Sequence, residues 1–85
     1  MLEEDKEKIY QGSLKKLADR CRTFRIRKNW TPYDLCIYAD ISIHTVYAIE
    51  RGTGNITIKT LEAVAFALEI KAVDLLSDQS SIGEG

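Results

Sequence analysis

The stretch "DLCIYADISIHTVYAIERG", residues 34–52, decides how this chain folds. Two apolar-patterned segments flank Ala39-Asp40-Ile41, and the second ends in an acid, a base and a glycine: Glu50, Arg51 and Gly52. Leu35, Cys36 and Ala39 recur at helical spacing before the break, and Val46 and Ile49 do so after it. Aspartate tolerates the left-handed backbone better than most non-glycine residues, so the chain turns at Asp40. Ser42 caps the second segment and Gly52 stops it. So short a connection makes the two helices cross steeply, as in a helix-turn-helix. The corner is either a packing device and nothing more, or a means of presenting one helix to a partner.

Working outward, "TPYD" (31–34) is a helix start, with Thr31 as N-cap, Pro32 at the tolerated first position and Asp34 in the first turn. Upstream, "SLKKLADRCRTFRIRKNW" (13–30) carries Leu14, Leu17, Cys21 and Phe24 at three- and four-residue steps, with Ser13 as its N-cap. Downstream of "GTGNI", Thr57 caps a fourth helix with Leu61, Val64, Ala65 and Leu68 inward, and "KAVDLL" adds a last short turn. No strand-type alternation holds for long. These patterns predict an all-α, compact five-helix domain with a helix-turn-helix over residues 13–76. An acidic N-terminal extension (1–12) precedes it, and a polar tail (77–85), expected to be disordered, follows.

Composition fits one small domain. Eighty-five residues bury only about 60–65% of the unfolded chain's surface. No run reaches the roughly 18–20 apolar residues of a membrane span, and "MLEEDKEKIY" has no apolar core for a secretory signal. Cys21 and Cys36 are too few for a disulfide framework and lie in apolar patterns, which points to reduced core thiols and a cytoplasmic protein. The net charge of −1 conceals a basic segment. Residues 13–30 hold Lys15, Lys16, Arg20, Arg22, Arg25, Arg27 and Lys28 against Asp19. Such a run is either a solvated helix face or the electrostatic footprint of a partner.

Catalysis finds no footing. The single histidine, His44, has no Cys, Asp or Glu at ligand spacing, so no metal site is expected. No glycine-rich phosphate loop follows a strand, "GTG" at 52–54 reads as a turn, and no serine nucleophile constellation can be assembled. No enzyme, cofactor or small-molecule ligand is expected.

From Leu17 to Leu76 the chain resembles the phage-repressor and Cro type of helix-turn-helix domain, the lambda repressor-like or Xre family. Arg25, the run Pro32-Tyr33-Asp34-Leu35-Cys36, the turn Asp40-Ile41-Ser42, inward Val46 and Ile49, Glu50-Arg51-Gly52 and "TLEAVAFALEI" follow the family's order. Each part is weak alone; the ordered set is specific. At 100° per residue, Arg25 falls within the first helix's apolar face beside Leu14, Ala18 and Cys21. A buried guanidinium needs a partner, and the resemblance implies Glu50; snorkelling from the helix end is the other possibility.

The third helix (42–51) has Ile43, His44, Tyr47, Ala48 and Arg51 opposite Val46 and Ile49. In the family that face enters the major groove of double-stranded DNA. The resemblance therefore implies base contacts from Ile43, His44, Tyr47 and Ala48. Phosphate contacts are expected from Thr31, Arg51, Thr53, Asn55 and Lys59. Two residues depart from the family pattern: Pro32 replaces a glutamine, and Asp40 replaces the turn glycine. Both predict weaker phosphate anchoring or an altered docking pose. On the basic first helix, Lys16, Arg20 and Arg27 lie along one side and Lys15 and Arg22 along the other.

Two functions follow from different classes. One is a sequence-specific DNA-binding transcriptional regulator, a repressor in the first instance, binding a palindromic operator as a homodimer. The alternative is a helix-turn-helix protein-interaction module or antitoxin-like partner, anchored by Ile43 and Tyr47. Val73, Leu75 and Leu76 are the candidate dimer interface, although they can instead close the monomer's own core.

Overall fold

The computed structural model describes residues 3–76, which form five α-helices and no strand. They are α1 (Glu3–Arg27), α2 (Pro32–Ala39), α3 (Ile43–Arg51), α4 (Ile58–Leu68) and α5 (Ala72–Leu76). The tail 77–85, expected to be disordered, lies outside the described residues.

The first helix corrects one expectation. It begins at Glu3, and Ser13 is an exposed interior residue, not an N-cap. Residues 3–12 contain no proline, and Glu, Lys and Gln are good helix formers. Continuing the helix satisfies the amides around Ser13 as well as a cap would. Gly12 alone costs only about 1 kcal/mol, too little to break it.

The other starts and stops follow local chemistry. The Thr31 hydroxyl accepts from the Asp34 amide at 3.1 Å while the Asp34 carboxylate accepts from the Thr31 amide at 2.8 Å, a complete capping box. Ser42 accepts from the Thr45 amide, and Thr57 from the Thr60 amide. Gly52 ends α3 in the left-handed conformation at φ 73°. Asp40 ends α2 the same way, at φ 58° and ψ 48°.

Non-glycine residues pay about 1–2 kcal/mol in that conformation, whereas glycine costs about 0.5–1 kcal/mol through the unfolded chain. Asp40→Gly should therefore raise stability by about 0.5–1 kcal/mol, read as a higher urea midpoint at unchanged slope. A lower midpoint would mean that the carboxylate itself holds the corner together.

The core forms where α1 packs on α3 and α5, α2 on α3 and α4, and α4 on α5. Cys21, Leu35, Val46, Val64 and Leu75 are its most deeply buried side chains. Leu75 thus belongs to the monomer's core, while Val73 and Leu76 remain exposed. Both cysteines are free. Burial pushes the Cys21 thiol up to about 12, and the nearby Glu50 carboxylate adds to the shift.

Candidate nucleic-acid interface

The outward helix α3 is fastened to α1 at its last turn. Arg25 donates to Glu50 through Nε at 2.7 Å and Nη2 at 3.0 Å, a two-pronged pair with both residues buried. Its remaining arm, Nη1, donates to the Trp30 carbonyl at 2.7 Å. The Cys21 thiol lies 3.8 Å from the same Glu50 carboxylate. Arg22 donates to the Glu50 main-chain carbonyl and is itself held by Asp19. Side chain and backbone of one residue are therefore gripped by consecutive turns of α1. This clamp sets how far α3 stands out from the body.

Several cations of the basic run 15–28 already have partners within the fold. Arg20 donates to the Asp74 carbonyl at 2.6 Å, Lys28 pairs with Glu69 at 2.8 Å, and Lys15 lies 3.9 Å from Asp19. Sequence reasoning placed Arg20 and Arg22 on two positive flanks. Their partners, in α5 and at the end of α3, come from folds of the chain that no local pattern reveals.

Of the residues singled out on α3, His44 and Arg51 are exposed, Tyr47 is 40% exposed, and Ala48 is half-buried. The Arg51 guanidinium sits over the Tyr47 ring, 5.3 Å from its centroid. Ile43 is half-buried, like Ala48, and packs against the core. It is the first residue of α3, next to the corner, where Ile41 also packs on the core. Ser42 and Thr45, which the sequence reading passed over as contacts, place their hydroxyls 2.9 Å apart at the start of α3. The cap spacing Ser-x-x-Thr was the available signal.

Thr31, Thr53, Asn55 and Lys59 are all exposed. Thr31, however, has its amide committed to Asp34, so a carboxylate already occupies the N-terminus of α2. Thr53 donates its amide to the Ala48 carbonyl at 2.9 Å, which docks the loop under α3. Arg51 and Lys59 form no ion pair among the described residues, in contrast to Arg25 and Lys28.

Among the described residues no helix is long and apolar enough to cross a membrane. Residues 20–81 match the Cro/C1-type helix-turn-helix DNA-binding domain family. A comparison with curated proteins returns no match. Among solved structures, the chain is similar to the hypothetical transcription factor NHTF from Neisseria, with a TM-score of 0.80 and 29% identity. That match covers 88% of this chain and 86% of the other. It is also similar to the clp gene regulator ClgR from Corynebacterium glutamicum, with a TM-score of 0.68, 27% identity, and coverage of 74% and 67%. The restriction-modification controller protein C.Esp1396I matches with a TM-score of 0.67, 31% identity, and coverage of 73% and 80%. With the ordered corner, the clamped third helix and these matches together, the chain belongs to the Cro/C1-type helix-turn-helix family and is a DNA-binding transcription regulator.

Proposed function

We propose that the protein is a cytoplasmic, non-catalytic repressor that binds a palindromic operator as a homodimer, with α3 in the major groove. The observation that carries this reading is the contrast in charge use. Arg20, Arg22 and Arg25 of α1 are engaged within the fold, whereas Arg51 and Lys59, on either side of the 52–57 loop, keep their charges available. His44 and Ala48 are the base-edge candidates, with Thr45 beside them; Arg51, Thr53, Asn55 and Lys59 are the backbone candidates. Thr31 retains only its hydroxyl for this purpose, and Ile43 shares its surface between the core and the outward face.

A single α3 offers few base contacts, and each mismatch costs only about 1–3 kcal/mol, so a two-fold pair doubles the readout. Half-sites then lie about 34 Å apart, one helical turn. The surface best suited to pairing with a second copy is a groove of about 220 Å³. Leu14, Leu17 and Leu61 line it with the half-buried Ile56 and the exposed Thr57, Ile58 and Leu76. Ile58 and Leu76 are 72% and 51% exposed. Apolar side chains at a groove rim are the kind of surface that an isologous contact covers.

Selection of duplexes from a random library, followed by titration at two salt concentrations, tests the groove reading. Arg51→Ala should weaken binding to all sequences alike and shallow the salt slope by about one unit. His44→Ala should relax preference at one base position, at a cost of about 1–3 kcal/mol. If neither change alters affinity or preference, α3 does not enter the groove.

A further inference from the structure

We propose that Tyr47 is a positioning residue for Arg51, holding its guanidinium in place before DNA arrives. The inference rests on the groove reading above and gives Tyr47 a different task from base recognition. Residues 47 and 51 are one helical turn apart on the outward face of α3, and the guanidinium carbon lies 5.3 Å from the ring centroid. A cation–π contact uses none of the guanidinium's N–H donors as a hydrogen bond, so they stay available to a phosphate, which can take two at once. An arginine side chain has many rotamers to lose, and part of that loss is then incurred before binding.

A carboxylate that could compete for Arg51 lies close by. A cleft of about 380 Å³ opens between α1 and the end of α3, lined by Lys15, Asp19, Arg22, Glu50, Arg51 and Gly52. Asp19 stands in that cleft, half-exposed and already shared by Lys15 and Arg22. A guanidinium released from the ring can swing toward this carboxylate and away from the duplex. Contact with the ring opposes that swing.

Three variants separate this role from base reading. Tyr47→Phe keeps the ring and should bind random duplex within about twofold of wild type. Tyr47→Leu should bind all sequences about three- to fivefold more weakly, the range expected for an exposed cation–π contact. In an Arg51→Ala background, Tyr47→Leu should have no further effect. A readout without DNA accompanies them: the Arg51 side-chain protons should be shifted upfield by the ring in wild type and Tyr47→Phe, but not in Tyr47→Leu. Unshifted Arg51 protons in wild type, a Phe variant as weak as the Leu variant, or a Leu effect that persists without Arg51 would overturn the proposal. Failure of the groove reading has a different signature: neither Arg51→Ala nor His44→Ala would change duplex binding, while the ring-current shift would remain.

Discussion

Glu50→Gln should destabilise the domain by about 3–5 kcal/mol, out of the roughly 5–15 kcal/mol that keeps a domain of this kind folded. Glu50 is not a surface acid. Its carboxylate meets Arg25 at 2.7 and 3.0 Å with both residues buried, and the Cys21 thiol lies against it. Removing the negative charge leaves a guanidinium buried without its counter-ion. Arg25→Met should be costly for the mirror-image reason, leaving the carboxylate unpaired beside an un-ionised thiol. Combining Arg25→Met with Glu50→Leu should recover much of the loss, because replacing a buried pair by apolar side chains of similar size is often close to neutral. Urea unfolding of the two single variants and the double variant gives the coupling energy directly. A value near zero would mean that the pair contributes nothing to holding α3 on α1.

The second large effect concerns assembly. Ile58→Glu together with Leu76→Glu should turn the proposed dimer into a folded monomer, since both side chains are exposed and neither is part of the core. Affinity for a two-half-site duplex should then fall by about 10²–10⁴-fold, to the level of a single half-site. Sedimentation at micromolar concentration and duplex titration read the two consequences separately. A dimer that survives both changes would have to use another face, for which Phe66 and Val73, 84% and 60% exposed, are the best candidates.

How much of this was legible depends on how local the determining chemistry is. Thr31 and Asp34 satisfy one another's amides within four residues, and Ser42, Gly52 and Thr57 act within a single turn, so those boundaries can be read directly. Asp40 advertises its left-handed turn by residue type alone. The N-terminus of α1 gives no such signal, because an uninterrupted helix satisfies its amides without any special residue. The fate of the basic run is equally hidden: Arg20 and Arg22 bond to carbonyls 54 and 28 residues away. Ile43 shows the limit of angular arithmetic. The wheel puts it with the outward residues, yet its place next to the corner carries it into the core's edge. The contact of Arg51 with Tyr47 was not read from the sequence, because a four-residue spacing does not say which of several partners a guanidinium chooses.

The capping box at Thr31 and Asp34 bears on how such a protein would find its target on a chromosome. The N-terminus of α2, where a backbone phosphate would otherwise be drawn in, is filled by the protein's own carboxylate. Pro32 removes one further amide there, and Asp40 adds a second negative charge at the far end of the same helix. On the proposed groove reading, each of these features would lower sequence-independent attraction to duplex and leave the contacts of α3 to base edges untouched. A genome offers about 10⁶–10⁹ competing sites, and occupancy of one operator is governed by the ratio of specific to non-specific binding. Weak general adhesion would then keep fewer copies parked on irrelevant sequence. The dwell time per wrong site would shorten, and a small number of molecules would suffice to sample and hold one operator.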